Sequence, residues 1–500
     1  MERFDAIVVG GGLGGLAAAA TLARAGRRVR LFERHTQPGG YATTFVRDRF
    51  EFEVALHELS AIGTPDNRGS LYRLLEELGV VDRIGFVPIP HLFRTVAPDM
   101  DVRVPVGRDA ALDSLCAAFP AERAGLTRLF ERMDQVKREA DQLGETTGAS
   151  PSPAGVFLRF PTLAHAAGVT LGAVVDRELS DPRAKLAYCQ LWPYFGLPPS
   201  KLSYLLYAVA FIVYLRWGAC GIKGKSQRLS NAFADVIREA GGRVTLGTGV
   251  RRILVEGGRI RGVVTDAGEE LETAFVVSNA DPVTTCTKLI DPRAVPEAWF
   301  RRVAGLRPSL SSFCVYLGLH RDCRELGITD HELYVNDTTD MDAQYEAGFR
   351  VEPPGSFLIC TYNATDPEFS PPGTAVMTLA ALSSGRVWAD VPPADYPRRK
   401  LALAKEMVHR AERVIPGLAD SIETSVVSTP LTNMRYTGNP EGALYGFENT
   451  PSENPGLRLE QRGPIDGLWF AGAWTRPGGG YHPCILSGHE AARAILARQA

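Results

Sequence analysis

Apolar positions along this chain fall into short unbroken runs. One of the first, Ala6-Ile7-Val8-Val9, is the pattern of a strand covered on both faces. From Leu16 to Ala25 small and apolar residues predict a helix closed by Gly26, and "RVRLFE" predicts a second strand ending in Glu33. Further on, a helix is expected over Ser226–Ala240. It is followed by strands in "RVTLGTGVRRILV", "RIRGVVTD" and "ELETAFVVSNA", with turns at Gly257-Gly258 and Ala267-Gly268. "SSFCVYLGL" and "TAVMTLAAL" predict more strands, and Tyr396–Val414 a helix. A last strand, Leu468–Ala471, leads through glycines into a helix from about Cys484.

One run departs from this rhythm. "LSYLLYAVAFIVYL", Leu202–Leu215, holds no charge, glycine or proline and lies between Lys201 and Arg216. It is shorter than the roughly 20 residues that a spanning helix needs. Pro193, Pro198 and Pro199 prevent a continuous helix with the uncharged stretch upstream. Apolar on every side, it is either a core helix or a monotopic patch touching lipid beside a substrate entrance. Ala6–Ala23 has the composition of a signal-peptide core, but Glu2 and Asp5 precede it and glycines crowd its middle, so no secretion signal is read.

Five hundred residues imply two or three domains. With 45% hydrophobic residues and a net charge of −2, the chain lacks the basic excess of a nucleic-acid binder. Its eight cysteines are scattered singly, which points to small buried residues in a reducing cytoplasm rather than a zinc ribbon or redox dithiol.

Glycine carries the chemistry. "GGGLGG" directly after the first strand sets Gly10, Gly12 and Gly15 in the G-x-G-x-x-G spacing. Gly10 allows the tight turn, Gly12 lets backbone approach a pyrophosphate, and Gly15 lets helix pack on strand. The helix N-terminus offers free N–H groups to phosphate, and Glu33 can accept hydrogen bonds from ribose hydroxyls. Gly39-Gly40 in "RHTQPGGYATTF" can run beside an extended pyrophosphate. The C-terminal "GLWFAGAWTRPGGGYHPCILSGHEAARAILA" repeats the order strand, glycine turn, helix. A cofactor contacted at both ends of the chain is FAD rather than NAD. No second G-x-G-x-x-G unit points to a built-in NADPH domain.

"VVGGGLGGLAAAATLARAG", "FERHTQPGG", "VVSNADP" and "LWFAGAWTRPGGGYHPCILSGHEAA" resemble the FAD-dependent phytoene desaturase, carotenoid isomerase and retinol saturase group of amine-oxidase-like flavoproteins. The resemblance implies that Gly10, Gly12, Leu13, Gly14, Gly15, Glu33, Arg34, Gly40, Ala42 and Asn279 serve the FAD site, most of them at its ADP half. It implies that Val250 meets the adenine through its backbone, and that Gly472, Ala473, Gly480, Tyr481 and Ile485 lie along the ribityl chain and flavin. Ala473 departs from the family, many members of which carry an acid there.

The expected architecture is α/β: a Rossmann-like FAD-binding domain from 1–62, 219–290 and 431–500, an antiparallel-sheet substrate domain over 291–430, and a helical insertion over 63–218. Within the insertion, "GETTGASPSPAG" is expected to be an exposed loop. Candidates beside the chemistry are Trp474, Tyr481, His482 and His57, the last followed by Glu58 on a segment resembling the family's substrate-side wall. Glu53 is expected to face solvent or ribose and receives no role. No metal site or Ser/His/Asp constellation is read.

The leading expectation is an FAD oxidoreductase or isomerase acting on a hydrophobic polyene or isoprenoid lipid. The chain is expected in the cytoplasm, with peripheral membrane contact through Leu202–Leu215 as one reading of that run. Alternatives are a flavin amine oxidase of the same fold, an enzyme of polyketide-derived polyenes, and a prenyl-binding chaperone without redox chemistry.

Overall fold

Five short parallel strands form the sheet on which the glycine motifs sit, in the order Arg243–Thr245, Val29–Phe32, Ala6–Val9, Val276–Ser278, Leu468–Phe470. The computed structural model describes residues 2–55, 57–144, 153–453 and 458–499, so most of the expected Pro/Gly/Ser loop, 145–152, lies outside the described residues. The chain enters this sheet near its start, in its middle and near its end. Ala6 and Val8 point into a core shared with three helices, while Ile7 and Val9 point into a second core with Trp299 and Phe447. Both faces are therefore apolar, which is why the strand reads as an unbroken run.

The three helices are Leu13–Arg24, Lys225–Glu239 and Tyr481–Gln499. The first starts three residues earlier than the apolar rhythm predicts, because Gly14 and Gly15 belong to its opening turn. The last likewise starts at Tyr481 rather than Cys484. A Cβ on Gly488 would lie 1.9 Å from the Gly14 carbonyl oxygen, so the first and last helices cross at backbone contact.

A seven-stranded sheet forms the other half of the molecule. Its order is Met100–Pro105, His91–Ala97, Glu332–Asn336, Ser356–Thr361, Ala375–Ser383, Ser311–Leu319, Ile422–Ser428. The five strands from 311–428 pair antiparallel, as expected. The other two come from the segment read as mostly helical, and His91–Ala97 joins Glu332–Asn336 in parallel. Their alternation is plain in "MDVRVP", where Met100, Val102 and Val104 are buried and Asp101 and Arg103 are exposed.

The uncharged run forms the helix Tyr204–Trp217. Tyr204, Tyr207, Ala208, Phe211, Ile212 and Leu215 are buried in the largest apolar core. No residue from Leu202 to Leu215 is exposed. The prominent exposed apolar side chains are elsewhere, at Phe157 (63%) and Leu158 (80%). Among the described residues no helix is long and apolar enough to cross a membrane.

Glu53 corrects an expectation. Its carboxylate is 1% exposed and accepts the Ser226 backbone N–H (2.9 Å) and the Ser226 hydroxyl, at the start of the Lys225–Glu239 helix. Instead of facing solvent or ribose it satisfies an open N–H of that helix. Burial nevertheless pushes the carboxyl up to about 7, against the Ser226 hydrogen bonds.

Candidate active site

One cavity of about 890 Å³ runs between the two sheets and collects nearly every candidate residue. Its glycine-rich wall starts where the first strand ends. Gly10 holds φ +94°, a backbone open to glycine, and turns the chain into the first helix. No side chain caps that helix, whose first residues Leu13 and Gly14 line the cavity. A Cβ on Gly14 would sit 2.6 Å from the Gly472 nitrogen and one on Gly15 would sit 2.1 Å from the Gly10 carbonyl. Backbone from the two ends of the chain is thus in contact here, and only glycine fits.

Asn279, directly after the strand Val276–Ser278, locks this junction. Its Oδ1 accepts the Gly15 N–H (3.0 Å) and its backbone N–H donates to the Val9 carbonyl (2.8 Å). Glu33 is nearly buried and accepts the N–H groups of Gly11 (2.7 Å) and His35 (2.8 Å), which turns its carboxylate onto the glycine loop. Arg34 donates to the carbonyls of Arg435 and Tyr436, binding the cavity rim to the C-terminal end of the helix Pro430–Thr437.

Gly10, Gly12, Leu13, Gly14, Glu33, Arg34, Gly40, Ala42, Val250, Asn279, Gly472, Ala473, Gly480 and Tyr481 all line the cavity, as do Trp474, His482 and His57. Gly15 and Ile485 do not. Gly15 stands behind the wall against Gly10, and the Ile485 side chain is fully buried in the helix core.

Burial shapes the polar groups. Tyr481 donates to the Tyr41 carbonyl (3.2 Å), and burial holds its hydroxyl un-ionised. Trp474 is buried edge-on against Phe447, ring centroids 4.9 Å apart. His482 makes no side-chain hydrogen bond among the described residues, and burial pushes it down to about 4, so its ring is neutral at pH 7. His57 is pushed down to about 4 as well, by burial and then by His331, and its Nδ1 has no partner.

Several contributors carry no motif. Ser487 Oγ accepts the Gly472 N–H (3.2 Å) and bonds Thr475 (2.9 Å) behind the C-terminal glycine turn. Arg458, 1% exposed, donates to Asn449 Oδ1 and to the carbonyls of Tyr445, Phe447 and Ala473. A cation thus backs the position where the family often has an acid. The opposite wall is aromatic and apolar, with Trp192, Tyr194, Phe195, Ala210, Tyr214 and Tyr334. Ala210 and Tyr214 are one helical turn apart on the apolar helix, so that helix builds the cavity as well as the core.

A two-ended glycine cradle opening into a large aromatic chamber has the form of a flavin site. The family model for flavin-containing amine oxidoreductases matches residues 13–496. The chain belongs to that family. FAD is its cofactor, and it is an oxidoreductase-class enzyme with the family's α/β fold. The donor set fits: the helix N-terminus, the Glu33 carboxylate and two close-approach glycine turns face one space. The chain is 27% identical to an all-trans-retinol 13,14-reductase of Macaca fascicularis, over 94% of its length and 82% of the relative's. It is 26% identical to a chloroplastic prolycopene isomerase of an Oncidium hybrid, over 99% and 84%. Among solved structures it resembles an oxidoreductase from Methanosarcina mazei (TM-score 0.66, 18% identity, 98% and 99% of the two chains). It also resembles a putrescine oxidase bound to putrescine (TM-score 0.67, 17% identity, 99% of each). These two likenesses speak for the fold.

Proposed function

We propose that this flavoenzyme acts on a hydrophobic polyene or isoprenoid lipid, by desaturation, saturation or redox-neutral isomerisation. The observation that carries the reading is the aromatic and aliphatic chamber continuous with the glycine cradle, bounded by the largely apolar helix Tyr204–Trp217. Relatives named for a retinoid and a carotenoid, aligned over nearly the whole chain, support it.

Bound FAD supplies hydride exchange with a substrate carbon. Gly10, Gly12, Leu13 and Gly14, with Glu33, Arg34, Gly40, Ala42 and Asn279, would hold its ADP portion, and the Val250 backbone the adenine. Gly472, Ala473, Gly480 and Tyr481 would hold the ribityl and ring portion. The remaining wall aligns a reacting carbon and excludes water. Trp192, Phe195 and Tyr214 give a long apolar chain surface to pack on. Tyr481 and Trp474, fixed by Tyr41 and Phe447, act as rigid walls. His482 and His57, neutral at pH 7, can each donate a hydrogen bond from one ring nitrogen and accept one at the other without placing a charge in the chamber. Charge developing along a conjugated chain is delocalised, so no strong base is required of them.

Anaerobic incubation of protein with its FAD oxidised and, separately, chemically reduced, with a panel of polyenes and of amines, followed by chromatography, tests this reading. New double bonds, lost double bonds or geometric isomers are expected. Aldehyde formed from amines, with every polyene recovered unchanged, would replace the reading with an amine oxidase.

A further inference from the structure

Beside His57, the chamber wall carries one acid, Glu58, and a second acid, Glu332, lies close to it. Glu58 lines the cavity, is 6% exposed, and neither of its carboxyl oxygens has a hydrogen-bond partner. Glu332, 1% exposed on the strand Glu332–Asn336, bonds the Tyr194 hydroxyl through Oε1, and its Oε2 has no partner. Nearly all buried polar atoms in proteins are paired. Glu332 has the Tyr334 hydroxyl close by, but the two unpaired oxygens of Glu58, on the cavity wall, call for a partner from outside the chain.

Neither acid makes an ion pair among the described residues. Burial raises both, and each resists ionisation of the other, so the pair is uncharged at neutral pH. Uncharged acids both donate and accept hydrogen bonds. An ammonium ion would have to ionise an acid in an apolar chamber, and a carboxylate would bring a further negative charge to it. A hydrocarbon would leave both Glu58 oxygens unpaired. A hydroxyl, which donates and accepts through one neutral atom, satisfies them.

We propose that Glu58, with Tyr194 beside it on the wall and Glu332 next to both, forms a hydroxyl-binding subsite that takes the alcohol end of an otherwise apolar substrate. The inference deepens the polyene-lipid reading and rests on it. Tyr194 is part of the device: its hydroxyl fixes Glu332, and its ring lies 6.4 Å from that of His57, nearly parallel, which keeps the subsite walled by aromatic surface.

The test is equilibrium binding to FAD-loaded protein at pH 7 of geranylgeraniol and of the hydrocarbon, acid and amine on the same skeleton. The alcohol is expected to bind about tenfold or more tighter than the hydrocarbon, the scale on which a site built for a hydroxyl rejects a ligand lacking it. Glu58→Leu should bring that ratio close to one by weakening the alcohol alone, and should raise the melting temperature, because an unpaired buried acid is removed. Glu58→Gln should keep most of the preference. Equal binding of alcohol and hydrocarbon by the wild type would overturn the subsite and leave the lipid reading standing. Tightest binding of the amine would also overturn it, making the acids a cation site. Failure of all four ligands to bind would overturn the lipid reading itself and this inference with it. If the Leu variant does not fold, the wild-type ratios and the Gln variant decide.

Discussion

Gly15 shows how a single atom decides the cradle. Its Cβ, if present, would lie 2.1 Å from the Gly10 carbonyl, and backbone cannot yield there as a flexible side chain can. Gly15→Ala is expected to cost about 3 kcal/mol, the upper end for overpacking, and to yield protein without bound FAD. Absorbance of the purified protein and a denaturant titration check both. Glu53 makes a pH prediction. Its folded pKa, about 7, lies above the ordinary carboxyl value of 4.5, so the folded state binds the proton more tightly than the unfolded one. Its stabilising contribution is full below pH 4.5 and is lost as pH rises through 7. The stability advantage of wild type over Glu53→Gln should therefore shrink between pH 5 and 8, by up to about 3 kcal/mol. Denaturant midpoints across that range measure it. At this scale the glycines and Glu33 were legible because their spacing is local. Glu332, Ser487 and Arg458 were not, because nothing within a few residues of each marks it, and distant segments give it its partners.

The helix Tyr204–Trp217 was ambiguous in sequence because an all-round apolar pattern describes both a buried helix and a lipid-facing one. Its neighbours decide where its faces go: two apolar cores and, at Ala210 and Tyr214, the cavity. Ala210→Asp is therefore expected to abolish binding of an apolar ligand while FAD content and pelleting with phospholipid vesicles stay at wild-type levels. A drop in pelleting with ligand binding intact would show that the helix serves a bilayer instead. The two strands at 91–105, at one end of the seven-stranded sheet, carry a fainter signal. They join a sheet whose other strands begin some 200 residues later, and only the alternation in "MDVRVP" announces them.

Across the whole molecule, the nucleotide sheet takes strands from the beginning, middle and end of the chain, and the helices Leu13–Arg24 and Tyr481–Gln499 touch at Gly14 and Gly488. The repeated strand, glycine turn and helix at both termini made this closure readable from sequence. FAD bound at that junction should stabilise the fold as a unit. At 1,000 times its dissociation constant the gain is about 4 kcal/mol, visible as a single melting transition that moves upward with FAD. A second, unmoved transition would mean that the seven-stranded half unfolds on its own. Substrate identity was less legible, because the chamber is walled by residues scattered from His57 to Tyr445 that share no local pattern. The most direct measurement is an anaerobic titration of the yellow holoprotein with polyene lipids and with amines, following the flavin absorbance. A saturable change with a polyene and none with an amine is expected. Bleaching by an amine alone, with polyenes inert, would contradict the polyene-lipid reading.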